Sequence, residues 1–154
     1  MNKKIVLLAG PTASGKTKIA IKLAQRIDGE IINTDSMQVF KDFQILSSRP
    51  NKYELKLAKH HLYGFQSSGA LFSTGTWLKL AEKKIRQIIK KGKVPILVGG
   101  TGLYFKAITD GISKIPSIKS TDRKKIRNLH QKLGQKKFYE KLIKLDPISK
   151  NKIS

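Results

Sequence analysis

Gly10-Pro11-Thr12-Ala13-Ser14-Gly15-Lys16-Thr17 fits the pattern G-x-x-x-x-G-K-[ST]. It follows a short apolar run and opens a segment of helical periodicity, the setting in which that pattern cradles phosphates. Gly10 and Gly15 allow backbone angles closed to other residues, so successive N–H groups can turn toward phosphate oxygens. The helix N-terminus adds partial positive charge. Lys16 supplies an ammonium for the terminal phosphate, and the Thr17 hydroxyl is a ligand for a Mg²⁺ ion bridging phosphates. Gly10 to Thr17 are therefore the candidate phosphate-binding residues, with Thr17 the candidate metal ligand. Taken alone, the loop predicts a nucleotide such as ATP. It names a phosphate and no particular reaction.

Two more segments carry groups suited to chemistry. Thr34-Asp35-Ser36-Met37-Gln38 brings a carboxylate, a hydroxyl and an amide close together, and Gly99-Gly100-Thr101-Gly102 sets one hydroxyl among glycines. Asp35 can act as a base, an N-terminal cap or a Mg²⁺ ligand. Thr101 can meet a ligand, cap the helix that follows, or do both. Met37 and Val39 read either as core or, at the Met37 backbone, as a ligand contact. His60 and His61 are adjacent on an expected strand, so they point to opposite faces and cannot share a metal; a hydrogen-bonding role near the sheet edge is expected. Phe72 and Trp77 are expected in the core or lining a substrate channel.

These segments need a scaffold that brings them together. Lys4–Ala9, Glu30–Asn33, His61–Phe65 and Val94–Val98 read as strands. Residues 16–27, with Ile19, Ala20, Leu23, Ala24 and Ile27 at helical spacing, read as a helix. So do 53–59, 76–91 and 103–109. Thr76 is the expected N-cap of the third, with Trp77, Leu80, Ala81, Ile85, Ile88 and Ile89 inward. Alternation of strand and helix predicts an α/β fold, a P-loop NTPase-like parallel sheet with helices on both faces. Ligands in such sheets sit at the carboxyl ends of the strands, where all three polar turns fall. A core over 1–111 is expected. Residues 112–154 form a second part, with a linker-like stretch from Ser113 to Ser120 around Pro116. Two basic helices follow, 122–133 and 136–145, their apolar faces carrying Ile126, Leu129 and Leu133, then Phe138, Leu142 and Leu145.

Composition narrows the classes. The 154 residues contain no cysteine, which excludes disulfides and thiolate metal sites. No run approaches the roughly 18 apolar residues of a membrane span, and the apolar stretch after Lys4 is too short for a signal peptide; no membrane association and a cytoplasmic location are expected. The 32 Lys and Arg against 10 Asp and Glu give a formal charge of +22. Such a field attracts polyanions; a lysine-rich surface without nucleic acid is the other reading of the same number.

The block Asn33–Phe40 (NTDSMQVF), beside Gly10–Thr17 (GPTASGKT), His60-His61-Leu62-Tyr63 and Leu97–Tyr104 (LVGGTGLY), resembles the tRNA dimethylallyltransferase (tRNA isopentenyltransferase) family. The resemblance runs from about Lys4 to Ala107 and continues weakly to Asp146-Pro147. It implies transfer of a dimethylallyl group from dimethylallyl diphosphate to N6 of the adenosine 3′ to the anticodon. The loop would then hold a diphosphate leaving group with Mg²⁺, and Asp35 would orient the amine and take its proton, with Thr101 beside it. Asp35, Ser36, Met37, Gln38, Thr101 and Arg123 would contact the tRNA anticodon stem-loop, with Lys124, Lys125, Arg127, Lys132, Lys136 and Lys137 on its phosphates. Residues 112–154 would be part of a tRNA-gripping insertion, and a monomer is implied. Leu46-Ser47-Ser48-Arg49-Pro50 stands where the family has glycine-threonine-alanine-lysine-proline, and Arg49 keeps the charge. Family members run about twice as far, so the chain reads as cut short, with part of the core and insertion missing. The competing expectations are a small P-loop metabolite kinase and a non-catalytic RNA-binding remnant.

Overall fold

A computed structural model describes residues 4–113 and 118–151. Pro116 and the centre of the linker-like stretch lie outside them. The chain divides into two compact units, Met1–Ile112 and Ser113–Ser154.

The first unit is built on four parallel strands in the order β1-β4-β2-β3: β1 Val6–Ala9, β2 Gly29–Asn33, β3 His60–His61 and β4 Val94–Gly99. Its helices are α1 Lys16–Arg26, α2 Lys52–Leu57, α3 Thr74–Lys90 and α4 Gly102–Thr109. β2 and β4 are apolar at successive positions because both their faces are covered. Ile31 and Ile96 sit side by side in register, and with Val98 they pack on Ala20, Ile21 and Ala24 of α1. One residue along, Ile32 and Leu97 face the other way, onto Trp77, Ala81, Ile85 and Ile88 of α3 and Tyr104 of α4. The period of two along each strand thus sorts one apolar run into two cores, and the expected helices on both faces are present.

Several boundaries differ from expectation. The third expected strand shrinks to His60–His61, because Leu62 takes a left-handed φ of 62° that ends it. Ile19 is 53% exposed and Ile21 is buried in its place. α3 begins at Thr74, and its N-cap is Ser73, whose hydroxyl accepts the Thr76 N–H at 3.2 Å; Thr76 is inside the helix.

His60 and His61 do part to opposite faces. His60 Nδ1 lies 2.8 Å from the Ala58 carbonyl and its ring packs edge-on against Tyr63. His61 Nε2–H donates to buried Glu30 (2.6 Å), which also receives Lys91 (3.2 Å). Burial raises the Glu30 carboxyl, but the hydrogen bonds from His61 and Lys91 outweigh it and hold the group below its ordinary 4.5. Burial also dominates at both histidines and pushes them below 6.5, against the hydrogen bonds to Glu30 and Ala58. The unfolded chain therefore takes up protons near pH 6.5 that the folded chain refuses, and stability falls as pH drops through that point. Glu30 adds a loss of the same sign below about pH 4.5. The urea midpoint is expected to fall between pH 7.5 and pH 5.5 and further at pH 4. A midpoint independent of pH over that range would contradict it.

The second unit consists of α5, Ser120–Leu145, and a 3₁₀ turn, Pro147–Asn151. Gly134, at φ 71° and ψ 169°, breaks α5 into the two expected segments. Across the break the His130 ring packs edge-on against Phe138, with centroids 4.9 Å apart. The expected apolar faces are only partly covered: Ile126 is 54% and Leu145 78% exposed, and no residue of α5 is buried. Among the described residues, no helix is long and apolar enough to cross a membrane.

Candidate active site

Three turns leave the carboxyl edge of the sheet, and hydrogen bonds fasten them to one another. β1 runs into the phosphate loop, whose Gly10 N–H donates to the Gly99 carbonyl at the end of β4 (3.2 Å). The loop curls through left-handed backbone at Ala13 (φ 63°) and Gly15 (φ 81°). Gly15 occupies the N-cap of α1 without a side-chain cap, and the first turn of α1 contains no acidic residue. The free amides of that turn, with its partial positive charge, are left for an anion from outside the helix. Lys16 folds over the loop, its ammonium donating to the Pro11 carbonyl and to Ser14 Oγ (3.4 Å). Thr17 is half-buried beside it.

The second turn follows β2. Asp35 Oδ1 accepts the Met37 N–H at 2.9 Å, closing a short turn on its own carboxylate. The third follows β4. Thr101 N–H donates to the Thr34 carbonyl (3.2 Å), and Thr101 Oγ1 accepts the Ser36 N–H (2.9 Å) while lying 3.2 Å from Ser36 Oγ. Thr101 stands at the N-cap position of α4, but its hydroxyl makes no capping bond. The side chain does not take the capping role; it ties the turn after β4 to Ser36.

Gly99 makes this approach possible. A Cβ there would stand 2.1 Å from the Thr34 carbonyl carbon and oxygen and 2.7 Å from the Asp35 nitrogen. All of these are backbone atoms that cannot rotate aside. Gly99→Ala is expected to destabilise the protein at the upper end of the roughly 1–3 kcal/mol typical of overpacking, read as a lowered urea midpoint. An unchanged midpoint would mean the two turns are free to separate.

The turns enclose two clefts. One, of about 340 Å³, has residues 12–17 of the phosphate loop on one wall and Asp35, Gln38, Ser48 and Glu54 on the other. The second, of about 330 Å³, lies between Thr12, Ser36, Met37, Ser47, Gly100 and Thr101. Thr12 and Asp35 border both. Asp35 thus stands on the partition between a cleft lined by the phosphate loop and a neighbouring polar one.

Other candidates fall out differently. Met37 is 52% exposed at the mouth of the second cleft, whereas Val39 is fully buried. Gln38 commits its amide N–H to the Ser47 carbonyl (2.9 Å), so that group holds the 47–48 turn against the cleft. Arg49 donates to the Phe40 carbonyl (2.9 Å) and packs where a side chain on Gly64 would stand, so its charge is used inside the fold. Trp77 belongs to the core: it is fully buried, stacks on Tyr104 with centroids 4.1 Å apart, and donates Nε1–H to the Asn33 carbonyl (2.9 Å). Arg123 lies in the first turn of α5 in the second unit, exposed, as are Lys124, Lys125, Arg127, Lys132, Lys136 and Lys137.

Sequence reasoning passed over Tyr63, Tyr104 and Glu54. The phenols of Tyr63 and Tyr104 are held above their ordinary 10, first by burial and then by the Asp35 carboxylate, so both stay protonated near it. Glu54 faces the phosphate cleft, but its carboxylate accepts the Asn51 N–H (2.9 Å) in a capping box that starts α2. The pattern Asn51-x-x-Glu54 was the available signal. Among the described residues, no three His, Asp or Glu side chains group as a metal cage.

The IPP transferase family model matches residues 38–154. The chain is 59% identical over 149 residues to a tRNA dimethylallyltransferase of Pelagibacter ubique, covering 97% of this chain and 48% of that protein. It is similar in structure to the full-length tRNA isopentenylpyrophosphate transferase of Bacillus halodurans (TM-score 0.71, 33% identity, 99% of this chain and 51% of that one). It is also similar to a eukaryotic dimethylallyltransferase acting on tRNA (TM-score 0.80, 31% identity, 99% and 38%). The chain spans about half the length of the curated relatives it matches. The phosphate loop precedes the family-model match, yet alignments covering 97–100% of the chain carry the relatedness across it. With that match and the joined turns Asp35–Gln38 and Gly99–Gly102, the chain belongs to the IPP transferase family.

Proposed function

We propose that the chain carries the donor and acceptor sites of a tRNA dimethylallyltransferase, moving the dimethylallyl group of dimethylallyl diphosphate to N6 of the adenosine 3′ to the anticodon. The observation that carries this reading is the position of Asp35 on the partition between the two clefts. The diphosphate lies in the phosphate loop, on the amides of residues 12–17 and the Lys16 ammonium. Its allylic carbon faces the second cleft, where a base turned out of the anticodon loop enters. N6 attacks C1, the C1–O bond breaks, and diphosphate leaves with the bonding pair. The N6 proton passes to the Asp35 carboxylate, whose second oxygen is free of the Met37 turn. Lys16 and the loop amides hold the charge that develops on the departing oxygen.

The oxygen donors of the cleft include the Thr17 hydroxyl beside the loop and, across from it, the carboxylates of Asp35 and of Glu54, the latter engaged in its capping box. That suits a Mg²⁺ ion held mainly by phosphate oxygens and water. Bound there, the ion neutralises diphosphate charge. Ser36, the Met37 backbone and Thr101 line the adenosine side, while Gln38 stands on the wall of the phosphate cleft and holds the 47–48 turn. Arg123 and the lysines of α5 contact tRNA phosphates, a salt-sensitive attraction that places the anticodon loop without reading its bases.

The test supplies the chain with Mg²⁺, dimethylallyl diphosphate and tRNA lacking the modification, and follows tRNA mass. A gain of one dimethylallyl group supports the reading. No gain, where a full-length relative gives one, overturns it for this chain. Consumption of ATP with a small acceptor in place of transfer would point to a kinase.

A further inference from the structure

We propose that Asn33 is a positioning residue that sets the reactive carboxylate of Asp35. The proposal rests on the function proposed for Asp35 and adds a residue with no role in it so far. Asn33 ends β2 and is fully buried. Its side chain brackets the peptide units of Asp35: Oδ1 accepts the Asp35 N–H at 3.0 Å, and Nδ2 donates to the Asp35 carbonyl at 2.9 Å. A second donation from Nδ2 reaches the Leu62 carbonyl at 3.0 Å. Its main-chain carbonyl accepts Trp77 Nε1–H.

The buried side-chain amide thus ties the Leu62 segment to the site turn, while the main-chain carbonyl of the same residue anchors α3 through Trp77. Leu62 is in left-handed backbone, unfavourable for a leucine, and the bond from Asn33 helps hold it there. The chain after Leu62 returns along the site turn, with Gly64 N–H donating to Gln38 and Phe65 N–H to Val39. Both bonds to Asp35 are made to its backbone, so neither occupies the carboxylate, whose Oδ1 closes the Met37 turn and whose second oxygen is left for the cleft. Displacing the Asp35 backbone breaks hydrogen bonds to a fully buried side-chain amide. The carboxylate is held in place before the substrates arrive, the condition under which a base contributes most.

The test compares Asn33→Ala and Asn33→Asp with the parent chain by hydrogen exchange and by transfer kinetics. In Asn33→Ala the amides of Asp35, Ser36 and Met37 are expected to exchange at least roughly fivefold faster, while those of α1 and β4 keep their protection. Asn33→Asp keeps the acceptor for the Asp35 N–H and loses both donations. It is expected to loosen the 62–65 segment more than the Asp35 amide. Where transfer is measurable, kcat is expected to fall at least about tenfold in Asn33→Ala with KM for dimethylallyl diphosphate unchanged. Unchanged exchange at Asp35–Met37, or an unchanged kcat, overturns the proposal. Equal loss of protection in α1 and β4 in both variants also overturns it, because Asn33 would then serve the fold as a whole. A parent chain without transfer counts against the proposed function alone, since the exchange pattern still decides the role of Asn33.

Discussion

Asp35→Asn is expected to lower the rate of dimethylallyl transfer by roughly 10²–10⁴-fold, the range over which a positioned general base acts, with pyrophosphate binding left within about twofold. The substitution separates two jobs of one side chain. An asparagine oxygen still accepts the Met37 N–H, so the turn that Asp35 closes at 2.9 Å is retained. Only the capacity to take a proton and carry charge is lost. Asp35→Ala removes the turn as well, and is expected to lose stability beyond the rate effect. Single-turnover transfer measured by tRNA mass, with pyrophosphate affinity by calorimetry, reads both. If Asp35→Asn transfers as fast as the parent chain while Asp35→Ala does not, the carboxylate serves the turn and not the proton.

Lys16→Ala is expected to weaken binding of Mg²⁺-pyrophosphate by about 10²-fold or more, the scale of a lost charged donor at a developing oxyanion. The ammonium sits within the loop against Pro11 and Ser14, on the wall of the phosphate cleft. Nothing else in that wall combines full positive charge with this position; Lys18, two residues on in the first turn of α1, is exposed. Lys16→Arg is not expected to restore affinity, since a planar guanidinium does not replace a compact ammonium inside a tight backbone ring. Calorimetry with inorganic pyrophosphate and Mg²⁺ gives the affinities directly. A loss below about threefold would mean that the amides at the start of α1 hold the anion by themselves.

The two variants separate the halves of the site. In the proposed function Lys16 acts on the diphosphate and Asp35 on the acceptor, so the Lys16 variant is expected to lower affinity and the Asp35 variant turnover. Gly99→Ala disturbs the backbone contact that joins them.

Much of this was legible in the residues. The phosphate loop needed only its spacing and its place between strand and helix, because the conformation of a glycine-rich turn is set locally. The parallel sheet followed from alternating periodicities, and the amphipathic stripe of α3 was read nearly to the residue: Trp77, Ala81, Ile85 and Ile88 are buried as expected. Local bonding defeated the finer readings. Thr76 is an excellent cap by type, yet the helix starts earlier, capped by Ser73, whose hydroxyl accepts the Thr76 N–H itself. Leu62, Tyr63 and Phe65 are apolar or aromatic in the manner of a strand, but left-handed backbone at Leu62 and Gly64 turns the segment away from the sheet.

The sequence by itself determined which groups are available: a phosphate-binding loop, one carboxylate in a polar turn, one hydroxyl among glycines, and a chain rich in cations. Those are properties of residue types over a few positions. The tertiary structure alone decided the strand order β1-β4-β2-β3, which sets β4 between the strands bearing the loop and the carboxylate. It decided that the Thr101 hydroxyl meets Ser36 and caps nothing, that Arg49 is used internally, and that buried Asn33 braces Asp35. Each depends on partners from about 2 to 65 positions away along the chain, and at the longer separations no local pattern records which residue will arrive.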